Sequence, residues 1–202
     1  YPHIGGDRMA LDPRVSALAV FDALDHGKRL SGLFDDKTYT LYKRLLEVST
    51  SKTSSVGRLF DAVAGLAQVS RCNTYEGEAA MWLESMAEGR LQGQEALQGE
   101  YDPDRYYRQM IEMLWRSVVD GDSPAQTATL LHRLLAGLVE CIVQREDVEE
   151  VCFSGGVFQN TIMTDLIVQR LARNRTLYFH KQLSPNDEGI AFGQLAFHCW
   201  GL

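Results

Sequence analysis

The amino-acid sequence predicts an α/β protein that is rich in helices. In the final third of the chain, candidate strands at residues 148–153 and 176–179 are each followed by a helical pattern. Strand–helix–strand–helix at this spacing is typical of parallel strand pairing. Elsewhere, apolar residues recur mostly at helical spacing. The chain has 202 residues, of which 45% are hydrophobic, so it can bury a core as one domain or as two small ones.

The first half of the chain predicts four helices. An irregular lead-in over residues 1–12 contains GGD, and Pro13 then suits the first turn of a helix. The loop STSKTSS at residues 49–55 ends in residues that commonly cap helices. The predicted helices cover residues 15–24, 35–47 (more weakly), 56–69 and 77–88.

The second half predicts two long helices and then the alternating segment. Residues 89–104 are the least periodic and indicate a short hairpin or loop. The turn DGDS separates the two long helices, and the loop LSPND precedes the last helix. The predicted elements are helices at 105–119 and 124–145, a strand at 148–153, a helix at 157–172, a strand at 176–179 and a helix at 188–200.

Composition limits the classes of function. A net charge of −7 argues against a protein that neutralises a nucleic-acid backbone or an anionic membrane. A nucleotide held by backbone N–H groups needs no net positive charge. The apolar run at residues 134–143 is too short to cross a bilayer, and the start resembles no targeting peptide. Because the first residue is not Met, we expect a piece of a longer chain.

The four cysteines stand alone in the sequence, with no Cys-x-x-Cys pair. Cys141 and Cys152 fall in apolar runs, where buried thiols are expected. A disulfide framework or a structural zinc site is therefore not indicated, and we expect a protein of the reducing cytoplasm.

The stretch VEEVCFSGGVFQN at residues 148–160 predicts a strand that turns directly into a helix. Gly155 and Gly156 would let a ligand approach the backbone, and the helix would offer unpaired N–H groups to a phosphate. Neither common nucleotide fingerprint is present, so a simple tight turn is an equal alternative. Asn160 could point back toward the glycines or be an ordinary polar residue of the helix.

Helix 56–69 carries a polar face. Ser54, Arg58 and Asp61 share one side at helical spacing. The simpler interpretation is a solvated stripe with an Arg58–Asp61 pair; the alternative is the wall of a cleft, where a carboxylate accepts from ribose hydroxyls. Gly57 inside the helix costs up to ~1 kcal/mol relative to alanine, which suggests that something packs close to it.

Asp187, in SPNDEG, lies where the last helix is predicted to begin. A helix cap is its default role, and metal ligation is the alternative. The five histidines form no H-x-x-x-H or similar pair, so most ligands of such a metal would lie elsewhere. Taken singly, His132 is expected to be a packed or helix-surface residue, and His180 a strand-end residue.

Five motifs together resemble the hydrogenase-maturation carbamoyltransferases of the HypF type. They span nearly the whole chain, and the last two are quite specific. The similarity is to the C-terminal part of the Kae1-like domain, in the actin/Hsp70-type ATPase (ASKHA) superfamily. It implies a helix-enlarged ribonuclease-H-like lobe over residues 1–202. The motifs are GGD (5–7), TSSVGRLFDAVAGL (53–66), YEGEAAMWLE (75–84), FSGGVFQN (153–160) and SPNDEGIAFGQ (184–194).

The resemblance also implies site residues. Gly155 and Gly156 would face an adenylate, with Asn160 in support. Asp61 matches a nucleotide-contacting aspartate of the related tRNA threonylcarbamoyl-transfer proteins. Asp187 matches a ligand of a divalent metal (Fe, Zn or Mg), whose other ligands lie outside this chain. The predicted nucleotide-binding residues are thus Ser54, Arg58, Asp61, Gly155, Gly156 and Asn160.

The implied reaction of the intact protein uses carbamoyl phosphate and ATP to form carbamoyl-adenylate. The carbamoyl group then passes to the C-terminal cysteine of a HypE-type acceptor protein, toward the cyanide ligand of [NiFe]-hydrogenase; no nucleic acid or membrane is involved. Glu188 stands where the family favours glycine, and the family's histidine pair is absent. Alternatives are an O-carbamoyltransferase acting on a small-molecule hydroxyl and a non-catalytic helical docking module.

Overall fold

The computed structural model describes residues 1–25, 29–87 and 102–201. These residues form two compact units, and each is considered by itself. The first lies within residues 1–94 and 104–131, and the second within residues 95–103 and 132–202. Much of the predicted loop at 89–104 lies outside the described residues, although its last two residues already belong to a helix.

The first unit is helical. Residues 8–11 form a short helix where an irregular lead-in was predicted. The other helix boundaries agree with the sequence-based ones to within a few residues, and the helix predicted over 15–24 ends in a 3-10 turn at Asp22–Leu24. A further 3-10 turn covers Leu30–Leu33. The helices are α1 (Arg8–Leu11), α2 (Pro13–Phe21), α3 (Asp36–Val48), α4 (Val56–Leu66), α5 (Glu78–Ala87), α6 (Pro103–Val119) and the first part of α7 (Pro124–Glu146).

Helices α2 and α4 form the centre of this unit, and both are almost entirely buried. A Cβ atom added to Gly65 would lie only 2.4 Å from the carbonyl oxygen of Pro13, so the two backbones meet at this glycine. The prediction of close packing at Gly57 was wrong. A Cβ there would meet only Ser55 Oγ, at 3.7 Å, which is ordinary van der Waals contact.

The second unit contains the predicted parallel strand pair. Strands β1 (Glu150–Phe153) and β2 (Thr176–Phe179) pair in parallel, with Glu150 opposite Thr176 and Phe153 opposite Phe179. Helix α8 (Thr161–Leu171) connects them, and helix α9 (Ile190–Trp200) follows β2. The parallel arrangement confirms the expectation from the alternating segment. Cys152, expected to be buried, is exposed.

Two helices begin later than predicted. Gly156–Gln159 and Asp187–Gly189 are 3-10 turns, so α8 starts at Thr161 and α9 at Ile190. At the end of β1, the ring of Phe153 stacks on Phe179 at 4.7 Å between centroids and meets Phe158 edge-on at 5.2 Å. These contacts hold the first turn against the strand ends. None of the helices described here is long and apolar enough to cross a membrane.

Candidate functional site

The predicted site residues fall into two groups, one in each unit. The first group lies at the start of α4 and is called the α4 group. The second surrounds the turn after β1 and is called the glycine corner. The α4 group contains Ser54, Arg58 and Asp61; the glycine corner contains Gly155, Gly156, Asn160 and Asp187.

The glycine corner is built where the two parallel strands end. Because the carboxyl ends of parallel strands meet at one edge of a sheet, the loops after β1 and β2 come together there. Ser154 Oγ lies 3.1 Å from His180 Nε2 across the strand ends. The Gly155 N–H donates to the carbonyl oxygen of Pro185 at 2.8 Å. The SGG and SPNDEG motifs, distant in sequence, therefore form one structure.

Gly155 has a backbone conformation that other residues rarely adopt. Its φ is 115° and its ψ is 152°, a region populated almost only by glycine. A Cβ atom there would meet nothing within 4 Å, so the requirement for glycine is conformational. Another residue at this position would strain the backbone directly before the turn at Gly156–Gln159.

The turn after Gly155 presents backbone donors. The Phe158 N–H bonds to the carbonyl of Gly155 at 3.0 Å, whereas the N–H groups of Gly156 and Val157 donate to none of the described residues. Gln159 Nε2 donates to Ser184 Oγ at 3.1 Å, which ties the turn to the opposite loop. Two free N–H groups beside a glycine, held by two loops, can bind an anion without a positively charged side chain.

The prediction that Asn160 lies inside a helix was wrong. Asn160 is instead the N-cap of α8. Its Oδ1 accepts from the Met163 N–H at 2.9 Å, and its Nδ2 lies 3.0 Å from His132 Nε2. The side chain is buried, with 7% exposed. Its amide is thus used inside the protein, which fits a supporting role better than direct contact with a ligand.

Asp187 is not the helix cap that its position predicted. The neighbouring Asn186 caps the turn instead, with its Oδ1 accepting from the Glu188 N–H at 3.1 Å. Asp187 is exposed, and its carboxylate bonds to none of the described residues. Within the described part of the chain, no three histidine, cysteine or carboxylate side chains lie together as a metal site. A metal at Asp187 would need ligands from elsewhere.

In the α4 group, Asp61 is buried rather than solvated, with 2% of its surface exposed. Its Oδ1 accepts from Asn73 Nδ2 at 2.9 Å, and its Oδ2 lies 2.8 Å from Arg58 Nη1 as an ion pair. Burial raises the pKa of Asp61 to about 6, although Arg58 and Asn73 oppose the shift. The predicted Arg58–Asp61 pair exists, but the solvated stripe does not.

Tyr1, which the sequence did not indicate, contacts the start of α4, and Tyr107 acts electrostatically on Tyr1. The hydroxyl of Tyr1 donates a hydrogen bond to the carbonyl of Ser55. Burial raises the pKa of Tyr1 above its usual range, while the charge of Arg58 lowers this pKa and that of Asp61 raises it. Burial raises the pKa of Tyr107 to about 12. Ser54 is exposed, whereas Asp61 in the same group is buried. The two tyrosines are distant in sequence, so no local pattern could have identified them.

Comparisons with known proteins agree on one family. The family model described as the carbamoyltransferase Kae1-like domain, second subdomain, matches residues 1–194. The chain is 31% identical to carbamoyltransferase HypF2 of Cupriavidus necator, covering 96% of this chain and 28% of that protein. It is also 31% identical to carbamoyltransferase HypF of Rhodobacter capsulatus, covering 96% and 26%. The chain therefore spans about a quarter of the length of these relatives.

Solved structures give the same result. A crystal structure of full-length HypF in its phosphate- and nucleotide-bound form superposes with a TM-score of 0.75 at 26% identity, over 96% of this chain and 27% of that one. HypF of T. kodakarensis gives a TM-score of 0.74 at 25% identity, over 98% and 28%. The predicted resemblance and the helix-rich, Kae1-like α/β fold of the ASKHA type are confirmed.

Proposed function

Because the chain belongs to the family of the carbamoyltransferase Kae1-like domain, second subdomain, we propose that residues 1–202 are the C-terminal lobe of that domain in a longer, HypF-type carbamoyltransferase. In this proposal the glycine corner holds the phosphate or ribose side of carbamoyl-adenylate, which the intact protein makes from carbamoyl phosphate and ATP. The observation that carries it is the meeting of the SGG turn and the 184–189 loop at the carboxyl edge of the parallel strands.

The transfer step proposed for the intact protein is a nucleophilic substitution at the carbamoyl carbon. The thiolate of a C-terminal cysteine, on a HypE-type acceptor protein, forms a C–S bond as the bond from carbon to the adenylate oxygen breaks. AMP leaves with the electron pair, and the cysteine proton passes to solvent. The N–H groups of Gly156 and Val157 would stabilise the charge on the departing phosphate. The resulting thiocarbamate is the precursor of a cyanide ligand for [NiFe]-hydrogenase.

The roles of the remaining site residues follow from their environments. Asn160 supports the corner from within, and the α4 group, with Ser54, Arg58 and Asp61, contributes to the nucleotide cleft of the intact protein. Asp187 would give one carboxylate oxygen to a divalent ion, Fe, Zn or Mg, which is consistent with its exposed carboxylate. Such an ion would polarise the carbamoyl oxygen. Asp187 is the one candidate ligand for this ion that the described residues supply. We also propose that the protein acts in the cytoplasm.

The decisive test compares two glycines that both have a positive φ. Gly155 and Gly121 both have positive φ, at 115° and 92°, and a Cβ at either meets nothing within 4 Å. In the full-length protein, Gly155→Ala and Gly121→Ala should each lower stability by about 1–3 kcal/mol. Only Gly155→Ala should also abolish carbamoyl transfer to the acceptor cysteine, followed with labelled carbamoyl phosphate and ATP. Equal transfer by both variants would contradict the proposed role of the corner.

A further inference from the structure

The buried pair His132–Asn160 has a fixed direction of hydrogen bonding. Asn160 Oδ1 accepts from the Met163 N–H at 2.9 Å, so the atom that faces His132 is the donor Nδ2. His132 Nε2, at 3.0 Å, must therefore accept. An imidazole that accepts at Nε2 is neutral and carries its proton on Nδ1. The geometry thus assigns one tautomer to His132.

Asn160 joins the two elements that form the corner. Its backbone N–H donates to the carbonyl of Val157 at 3.2 Å, which closes the 3-10 turn. Its backbone carbonyl accepts from Thr164 at 3.2 Å, and its side chain caps α8. A rotation of Asn160 would therefore move the end of the turn and the start of the helix together.

Among the described residues, His132 is the only side chain that bonds to Asn160 Nδ2, and it lies on a long helix. His132 is fully buried, and Asn160 has 7% of its surface exposed. His132 lies within helix α7, which is 23 residues long, so its backbone is held in a rigid element. Removing the acceptor would leave a buried amide donor unsatisfied, so the junction would rearrange or draw in water.

We propose that His132 is a positioning residue for the glycine corner. By accepting a hydrogen bond from Asn160, it fixes the junction between the 3-10 turn and α8, and with it the orientation of the Gly156 and Val157 N–H groups. This inference rests on the proposed function, since it concerns the site that would hold the adenylate phosphate. His132 itself does not touch the ligand; it acts through Asn160.

The test uses three variants and one control in the full-length protein. His132→Leu removes the acceptor, whereas His132→Gln places an amide oxygen near the position of Nε2. Asn160→Ser keeps a good cap but is too short to reach His132. The control is Thr129→Val, which removes a different, partly buried hydrogen bond of α7, from Thr129 Oγ1 to the carbonyl of Ala125. The readouts are thermal stability and kcat/KM for carbamoyl transfer.

We expect His132→Leu and Asn160→Ser to lower kcat/KM by about 10-fold or more, because small displacements of positioning groups have effects of this size. His132→Gln should have a kcat/KM within about 3-fold of wild type. Thr129→Val should keep the wild-type kcat/KM even where it loses as much thermal stability as His132→Leu. The double variant of His132→Leu with Asn160→Ser should be no worse than the poorer single one. Asn160→Ser keeps the inference testable if His132→Leu does not fold.

The failures of the two proposals can be told apart. If Gly155→Ala is inactive but His132→Leu and Asn160→Ser transfer the carbamoyl group normally, the positioning role is wrong and the proposed function stands. If the wild-type protein transfers no carbamoyl group, both are overturned. Nitrogen-15 spectra of the labelled histidines supply a readout besides activity, and a His132 proton on Nε2 rather than Nδ1 would overturn the positioning role directly.

Discussion

The α4 group and the glycine corner use polar groups in opposite ways. In the α4 group, charged side chains are buried and neutralise one another, as Asp61 does with Arg58 and Asn73. In the glycine corner the available donors are backbone N–H groups, held by the conformation of Gly155 and by the neutral pair of Asn160 and His132. The first region should therefore respond to changes of charge and volume, and the second to changes of backbone freedom.

The largest expected effect is in the helix that carries the α4 group. Gly65→Ala places a methyl group 2.4 Å from the carbonyl oxygen of Pro13, so α2 and α4 must move apart. We expect a loss of about 3 kcal/mol in the free energy of unfolding, at the upper end for overpacked cores. Denaturant titration of the chain, followed by circular dichroism, measures it.

The matched control lies eight positions earlier in the same helix. Gly57→Ala meets only Ser55 Oγ at 3.7 Å, so it should be neutral or stabilise the chain by up to about 1 kcal/mol through helix propensity. Opposite signs for the two substitutions would confirm that Gly65 alone marks the crossing. Similar losses at both positions would show that the close approach has been misplaced.

A second effect concerns the charge of Asp61. Burial raises its pKa to about 6 from a usual value near 3.8, so between these values the folded state binds more protons than the unfolded state. Stability from this group is therefore fully present below pH 3.8 and falls as pH rises toward 6. Relative to Asp61→Asn, the wild-type chain should gain about 1 kcal/mol per pH unit on acidification across this window.

The measurement is the difference in unfolding free energy between the wild-type chain and Asp61→Asn at pH 4, 5, 6 and 7. Asparagine keeps the shape and can still accept from Asn73, so the comparison isolates the charge. A difference that does not change over this pH range would mean that the pKa of Asp61 is not raised, because Arg58 and Asn73 then offset the effect of burial.

What the sequence predicted well was local. The helices of the first unit and the parallel pairing of β1 with β2 follow from periodicities within single segments, which act over a few residues. The tight turn after β1 also follows from one contiguous motif, because Gly155 needs its conformation whatever lies around it. These features agree with their predictions to within a few residues at each end.

What the sequence could not predict depends on partners far along the chain. Asn73 lies 12 positions from Asp61, and His132 lies 28 from Asn160, so neither partner is visible in a local pattern. The same applies to glycine. Gly57 and Gly65 share one helix, and only the packing of α2 shows which of them is needed. The prediction of a solvated stripe failed because α4 has no face that water covers along its length.

The smallest expected effect distinguishes two adjacent residues at the corner. Asn186 caps the turn before α9, so Asn186→Ala should lower stability by about 1 kcal/mol. Asp187 is exposed and bonds to none of the described residues, so Asp187→Asn should leave the unfolding free energy unchanged. In the full-length protein, however, Asp187→Asn should lower bound metal and carbamoyl transfer, because a neutral amide is a poor substitute for a carboxylate ligand. Elemental analysis beside a thermal melt separates the two residues. If Asp187→Asn keeps metal and transfer but melts earlier, Asp187 supports the turn, and the corner depends on side-chain charge as the α4 group does.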